Sequence, residues 1–404
     1  MAAHHILSGL IAAEQVLTGS DPSGHVPGPK VLEITDGVIT EVGAGRPTGP
    51  GALELPDGLL LPGFVDLQVN GYFGVEFQAA DAGSWARVAA GLPSTGTTAF
   101  LPTLITAPVD RLAAVLSAAA AFVPDLPDGG ARVLGVHLEG PFISPLRRGA
   151  HNPDWITDPD PQAVSLLVGA GGGLLRLVTL APERPGGLAA IAQLRQAGVL
   201  VSVGHSDATA GQVSVAAGQG AAMVTHLFNA QRPLGHREPG VAGQALTDER
   251  LTSGLIADLH HVAGPICGLA FRAAPGRIVL VTDAAAPAGM PPGEYALGGE
   301  PVTLPAQEGA PPVRADGTLA GSALRMDVAV ANAVGCGVPL PAAVAAATSI
   351  PASLIGRPDL GRITPGAAAD LVWLSPQLRT RATWVAGQLV YTDGAASTLA
   401  AVRA

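Results

Sequence analysis

The sequence predicts an α/β protein: a closed (β/α)8 barrel joined to a small β-sandwich formed by both chain termini. From Pro62 onward, apolar β-type segments alternate with alanine-rich amphipathic stretches, as in Thr98 to Leu104 then Val109 to Phe122, and Val199 to Gly204 then Ala208 to Gly218. Such alternation marks βα units on a parallel sheet. The strand candidates are Phe64 to Val69, Thr98 to Leu104, Val133 to Leu138, Leu174 to Leu180, Val199 to Gly204, Ala222 to His226, Leu251 to Ala257 and Ile278 to Thr282. They number eight, as a closed barrel requires. Polar residues of catalytic type sit at or just after these segments: Gln68 and Asn70, Glu139, His205, His226, Asp258 with His260 and His261, and Asp283. A barrel brings all its strand C-termini to one face, so these distant residues can meet there, which favours it over an open doubly wound sheet.

The ends of the chain read differently. Ile6 to Ala12, Val31 to Ile34 and Gly37 to Val42 are short and strand-like, with Asp36-Gly37 as a hairpin turn. Helical stretches at Met326 to Val334 and Ala342 to Ala347 precede a return to strand character at Asp370 to Leu374 and Ala382 to Val390. Residues 1–61 and 369–404 are therefore expected to form the sandwich, and 62–368 the barrel.

Composition narrows the function. The 404 residues carry 22 Lys+Arg against 32 Asp+Glu, a net charge of −10, which argues against nucleic acid or an anionic membrane as partner. The 53 glycines and 36 prolines stay below the share typical of low-complexity chains, and 48% of residues are hydrophobic, enough for a sizeable core. Cys267 and Cys336 are too few for a disulfide scaffold and too far apart for a Cys-x-x-Cys site, so a reducing compartment is expected. The longest largely apolar stretch, Leu112 to Val123, is shorter than the ~20 residues of a membrane helix, and no signal-peptide pattern opens the chain. The expected location is the cytoplasm.

Singly, a histidine at a strand end is more often a hydrogen-bonded packing residue than a ligand. Together, Glu139, His205 and His226 close three different strands, and one carboxylate with two imidazoles is a normal open metal set. A divalent ion there would lower the pKa of its water toward ~7. Gly204 and Thr225, ahead of the two histidines, are small enough for close backbone approach. Asp283 ends another strand, where a carboxylate can act as general base and then general acid; alone it would pass for a turn or N-cap residue. Arg237, in Gly235-His-Arg-Glu-Pro-Gly240, is equally an anion clamp or a loop arginine paired with Glu238.

Seven segments occur in a telling order: Pro62-Gly-Phe-Val-Asp-Leu-Gln68-Val-Asn70-Gly71, His137-Leu-Glu139-Gly-Pro141-Phe, Gly149-Ala-His151-Asn-Pro153, Gly204-His205-Ser-Asp-Ala-Thr209, Thr225-His226-Leu-Phe-Asn229-Ala230, Thr282-Asp283-Ala and Leu319-Ala-Gly-Ser322. Over nearly the whole chain the sequence resembles the N-acetylglucosamine-6-phosphate deacetylases of the amidohydrolase superfamily. The resemblance implies a distorted TIM barrel with a small β-sandwich, usually a homodimer, that removes acetate from a phosphorylated amino sugar. It also implies Glu139, His205 and His226 as metal ligands, Asp283 as catalytic acid/base, and His151 as the group that polarises the acetyl carbonyl. Asn229, the Ala230 backbone and Leu319 fall to the substrate. Arg237 and His261 match phosphate-binding positions, typically offered across the dimer interface.

Gln68 and Asn70 bear on metal count. Many amidohydrolases carry His-x-His at this first strand for a second ion, whereas these neutral amides are poor ligands, so one ion per chain is expected, with Gln68 holding a water on it. The only lysine, Lys30, lies in the N-terminal β region, which excludes a bridging carbamylated lysine. Zinc is the default ion, with iron, cobalt or manganese as substitutes. Two departures from the family stand out: Leu259 where glycine is usual, and Gln231-Arg232-Pro233-Leu234 in place of a Met-containing loop. Substrate identity is the more open question, so another acetylated amino sugar, or a non-catalytic sugar-phosphate-binding protein, remain alternatives.

Overall fold

Eight parallel strands wrap into a barrel in the computed structural model, which describes residues 9–19, 28–45, 52–55, 57–79 and 81–394. In chain order the barrel strands are Phe64–Val69, Thr97–Ile105, Val136–Glu139, Leu175–Leu180, Leu200–Val203, Met223–Val224, Thr252–Leu255 and Ile278–Leu280. Each pairs in parallel with the next. Each is also followed by its helix: Ala82–Gly91, Val109–Phe122, Pro161–Gly171, Gly187–Gln196, Ala210–Gln219, Gly240–Thr247, Gly264–Ala273 and Met326–Gly335. The fifth of these shows why the helices start and stop where they do. Thr209 and Gln212 form a reciprocal capping box, Val213, Ala216 and Ala217 face the barrel, and left-handed Gly220 ends the helix.

The expected third strand from Val133 is interrupted. Arg132–Val133 pairs low on the second strand, and the chain then turns at Gly135, φ +147, where a Cβ would lie 2.1 Å from Arg176 Cγ. Only after this glycine does the strand proper begin.

The seam between the eighth and first strands closes at one end only. Asp283 N–H donates to Gln68 O at 2.9 Å, and Asn70 N–H to Ala284 O at 2.8 Å. Below these bonds the buried Asp66 carboxylate accepts from Thr282 Oγ1 at 2.5 Å and Thr282 N–H at 3.3 Å. A side chain thus replaces missing ladder bonds. Burial pushes the Asp66 carboxyl up to about 7 against the lowering effect of those bonds.

The termini form two four-stranded sheets. One orders Val38–Ala44, Lys30–Thr35, Gly9–Ala13 and Ala52–Leu55; the other orders Gln388–Thr392, Thr380–Val385, Leu371–Leu374 and Leu59–Pro62. Ile11, Leu32, Ile39, Leu60, Trp373 and Trp384 belong to the core between them. The expected strand Ala382 to Val390 is a hairpin, because Ala386 and Gly387 turn with φ of +48 and +73. The first expected strand is described from Gly9, and Ile6 to Ser8 lie outside the described residues.

Arg132 joins the barrel side to the second terminal sheet, its Nε and Nη2 each 3.0 Å from the buried carboxylate of Asp370. Replacing Arg132 with Met leaves that carboxylate uncompensated and is expected to cost about 3 kcal/mol. A urea-unfolding midpoint equal to wild type would refute this.

Candidate functional site

Glu139 ends the third strand, His205 follows the fifth, His226 the sixth and Asp283 the eighth. At the last three the backbone is left-handed, with φ of +47, +28 and +50. Non-glycine residues rarely adopt this conformation, and each costs on the order of 1–3 kcal/mol. The three kinks carry the side chains to one point over the barrel mouth. Gly204 serves packing as well as approach: a Cβ there would lie 2.7 Å from both Thr179 Cγ2 and Thr225 Cβ.

Glu139 Oε1, His205 Nε2 and His226 Nε2 form a small triangle with sides of 3.2, 2.9 and 3.0 Å. All three side chains are buried. Burial opposes ionisation of Glu139, yet the two imidazoles hold its carboxyl well below the usual range. Burial likewise lowers His226, but the Glu139 hydrogen bond and charge outweigh it and raise the imidazole above its ordinary value. Two ring nitrogens facing each other beside a carboxylate are a donor set for a cation, and ligand atoms around an ion at ~2.0–2.2 Å are spaced comparably. The residues therefore fit one divalent ion. His205 Nδ1–H donates to Arg147 O at 2.9 Å, the second hydrogen bond usual for a ligand imidazole, whereas buried His226 Nδ1 has no partner. His151 also offers a nitrogen, within 4.8 Å of the Glu139 and His205 ligand atoms.

Gln68 lies between the two carboxylates: its Nε2 donates to Glu139 Oε1 at 2.9 Å and to Asp283 Oδ1 at 3.0 Å. Its buried Oε1 has no partner. Asn70 donates to the same Asp283 oxygen. Burial, and then the Glu139 charge, push the Asp283 carboxyl up to about 7. On the other side, Thr106 N–H donates to His151 Nδ1 at 3.3 Å and its hydroxyl lies 2.7 Å from the same nitrogen. An accepting Nδ1 leaves the proton on Nε2. Burial pushes the His151 imidazole down to about 3, so it is a neutral donor at physiological pH.

A cavity of about 260 Å³ gathers Glu139, His151, His205, His226, Asn229, Ala230, His261, Asp283 and Leu319. His261 is oriented by Asp258, whose Oδ2 lies 2.6 Å from Nδ1. Leu259, at the position where the family carries glycine, is left-handed with φ +67 and points into solvent, so the strand-end turn survives the exchange. Arg237 is exposed, outside this cavity, and makes no hydrogen bond or ion pair among the described residues. The alternative pairing with Glu238 is absent too, since that carboxylate binds Ala210 N–H and Gly240 N–H. Sequence reasoning missed Thr106 and the Asp66 latch. The position of Asp66, two residues before Gln68 on the same strand face, was the available signal for the latter.

The amidohydrolase family model matches residues 59–390. The chain belongs to the amidohydrolase family. Among curated relatives of this amidohydrolase, the N-acetylglucosamine-6-phosphate deacetylase of Danio rerio is 40% identical over 353 residues, 82% of this chain and 84% of that one. An N-acetylgalactosamine-6-phosphate deacetylase of Escherichia coli is 38% identical over 360 residues, covering 89% and 94%. Among solved structures, a mutant N-acetyl-D-glucosamine-6-phosphate deacetylase of Mycobacterium smegmatis, in complex with N-acetyl-D-glucosamine-6-phosphate, superimposes with a TM-score of 0.89. It is 38% identical, over 95% of this chain and 99% of that one.

If the triangle holds an ion, its removal must cost stability, by roughly 4 kcal/mol when the ion is present at a thousand times its Kd. Excess chelator should lower the thermal midpoint of the purified protein, zinc should restore it, and Glu139→Gln should erase the difference. Midpoints indifferent to chelator and zinc in the wild type would exclude the site.

Proposed function

We infer that this amidohydrolase hydrolyses the acetamide of N-acetylglucosamine 6-phosphate, giving glucosamine 6-phosphate and acetate. One observation carries the reading: a single cavity presents the Glu139, His205 and His226 donors, a carboxyl titrating near neutrality and a neutral imidazole donor. The relatives named for this reaction support it.

In this reading Glu139, His205 and His226 hold one divalent ion per chain, zinc by default. Bound there, it supplies Lewis acidity and lowers the pKa of water at the site. His151 Nε2–H donates to the acetyl carbonyl oxygen and stabilises the negative charge that grows on it as water adds to the carbon. Asp283 takes the proton of the attacking water and returns a proton to the nitrogen as the C–N bond breaks. Gln68 and Asn70 both bind its Oδ1, which leaves Oδ2 to carry the proton. The unpartnered Gln68 Oε1 is an acceptor for that water.

His261, Asn229, the Ala230 backbone and Leu319 contact the sugar phosphate. Arg237, exposed and outside the cavity of its own chain, clamps the phosphate of a neighbouring copy in a homodimer. The assignment of residues 1–61 and 369–404 to a sandwich domain and 62–368 to the barrel belongs to the same proposal, supported by two separate cores. So does a cytoplasmic location, to which the two free cysteines are suited. Among the described residues no helix is long and apolar enough to cross a membrane.

A second reading changes the epimer to N-acetylgalactosamine 6-phosphate, favoured by the long match to the Escherichia coli relative. Free amine measured on both epimers, each with and without the 6-phosphate, decides between them. Turnover of none of the four would overturn the deacetylase reading.

Asp283→Asn is expected to lower kcat by roughly 10²–10⁴-fold with little change in KM. Full turnover by that variant at neutral pH would remove Asp283 from its role. Arg237→Ala should lower kcat/KM about a hundredfold on the phosphorylated sugar, the scale of one lost charge-assisted contact. The unphosphorylated sugar should be unaffected, and equal losses on both would refute the clamp.

A further inference from the structure

The turn that carries His226 is the most contorted segment of the site. Within five residues His226, Phe228 and Ala230 have φ of +28, +78 and +49, although none is glycine. Such backbone persists only where its surroundings over-determine it. The ring is held only at its donor end, by Glu139 and His205 beside Nε2, because Nδ1 is buried and unpartnered, unlike Nδ1 of His205, which Arg147 O holds. With no hydrogen bond behind the ring, the main chain must set its direction from that side.

Gln231 is placed to fix that main chain. It is 4% exposed, and both ends of its amide are engaged across the turn. Nε2 donates to Thr225 O at 2.9 Å, just before the histidine, and Oε1 accepts from Phe228 N–H at 3.1 Å, just after it. Its backbone lies beside the loop of the other histidine: Ser206 N–H donates to Ala230 O at 3.2 Å, and Arg232 N–H to Ser206 O at 3.0 Å. The residue is thus a brace between two loops that each present one imidazole.

We propose that Gln231 is a positioning residue for His226 and His205, and that its side-chain amide replaces the missing hydrogen bond on His226 Nδ1 in holding the imidazole for the ion. The inference rests on the reading that these histidines bind a divalent ion. It extends that reading to a residue outside the donor set, one that the cavity does not expose.

Zinc affinity, measured by competition with a chromogenic chelator, tests it without recourse to turnover. Gln231→Leu removes both bonds, and Gln231→Glu keeps the acceptor for Phe228 N–H but sets an oxygen against Thr225 O. Both should bind zinc roughly 10–100-fold more weakly than wild type, the usual effect of losing a partner that orients a ligand. Thr383→Val deletes a different buried hydrogen bond, from the second terminal sheet to Pro93 O beside the first barrel helix, and should leave zinc affinity unchanged. If Gln231→Leu does not fold, Gln231→Glu alone decides. Wild-type zinc affinity in the folded Gln231 variants, with His226→Ala impaired, would overturn this proposal only. Wild-type affinity in His226→Ala itself would overturn the metal reading beneath it. A loss in Thr383→Val equal to that of the Gln231 variants would reduce the effect to general destabilisation and also overturn the proposal.

Discussion

Three donor atoms, one carboxylate oxygen and two ring nitrogens, are held within 3.2 Å of one another, and the rest of the site follows from that crowding. Their residues are 66 and 87 positions apart from Glu139 along the chain, so no local structure brings them together. The barrel does, by ending its strands on one rim, and left-handed kinks at His205 and His226 then turn the rings inward. The strain is tolerated because neighbouring loops are tied down. Glu183, for example, accepts from Ser206 Oγ at 2.7 Å and from Asp207 N–H at 2.6 Å, fixing the segment just after His205.

Beneath this rim the barrel interior is polar where branched apolar side chains are usual. His137 lies 2.8 Å from Thr179 Oγ1, which is 2.7 Å from Thr225 Oγ1, itself 2.6 Å from Ser202 Oγ. Burial pushes the His137 imidazole down to about 4, so this floor is uncharged. An uncharged, hydrogen-bonded layer lets the charge of Glu139 act upward on the donors and on Asp283 without competition from below.

Much of this was legible in the sequence, because period and position carry it. The helix Val109–Phe122 and the strand Phe64–Val69 coincide with their expected spans, since each is bounded by proline or glycine punctuation. The convergence of Glu139, His205, His226 and Asp283 was readable because each lies at or near a strand end, whereas His151, in the loop well past the third strand, was named only through the family resemblance. What was not legible depends on side chains meeting across the fold. Nothing in the sequence marks Thr106 as the partner of His151, or Gln68 as the donor that links two carboxylates. The split of the third strand at Gly135 escaped because one glycine inside an apolar run looks tolerable until Arg176 is found against it. Arg237 shows a different limit. Spacing suits it to an anion or to Glu238, yet it is exposed, outside the cavity and without either contact among the described residues.

The half-closed seam has a consequence of its own. Gln68 and Asn70 stand on one bank of it and Asp283 on the other, at the end that main-chain bonds close, so the amides that grip the Asp283 carboxyl share that end with the ladder. Opening of the cylinder at this stave meets the side-chain bonds of Asp66 and Thr282 first, because no main-chain ladder crosses there. A local excursion far smaller than global unfolding is therefore resisted below the rim, with Asp66 and Thr282 as the hoop that keeps the Asp283 carboxyl beside its two tethers.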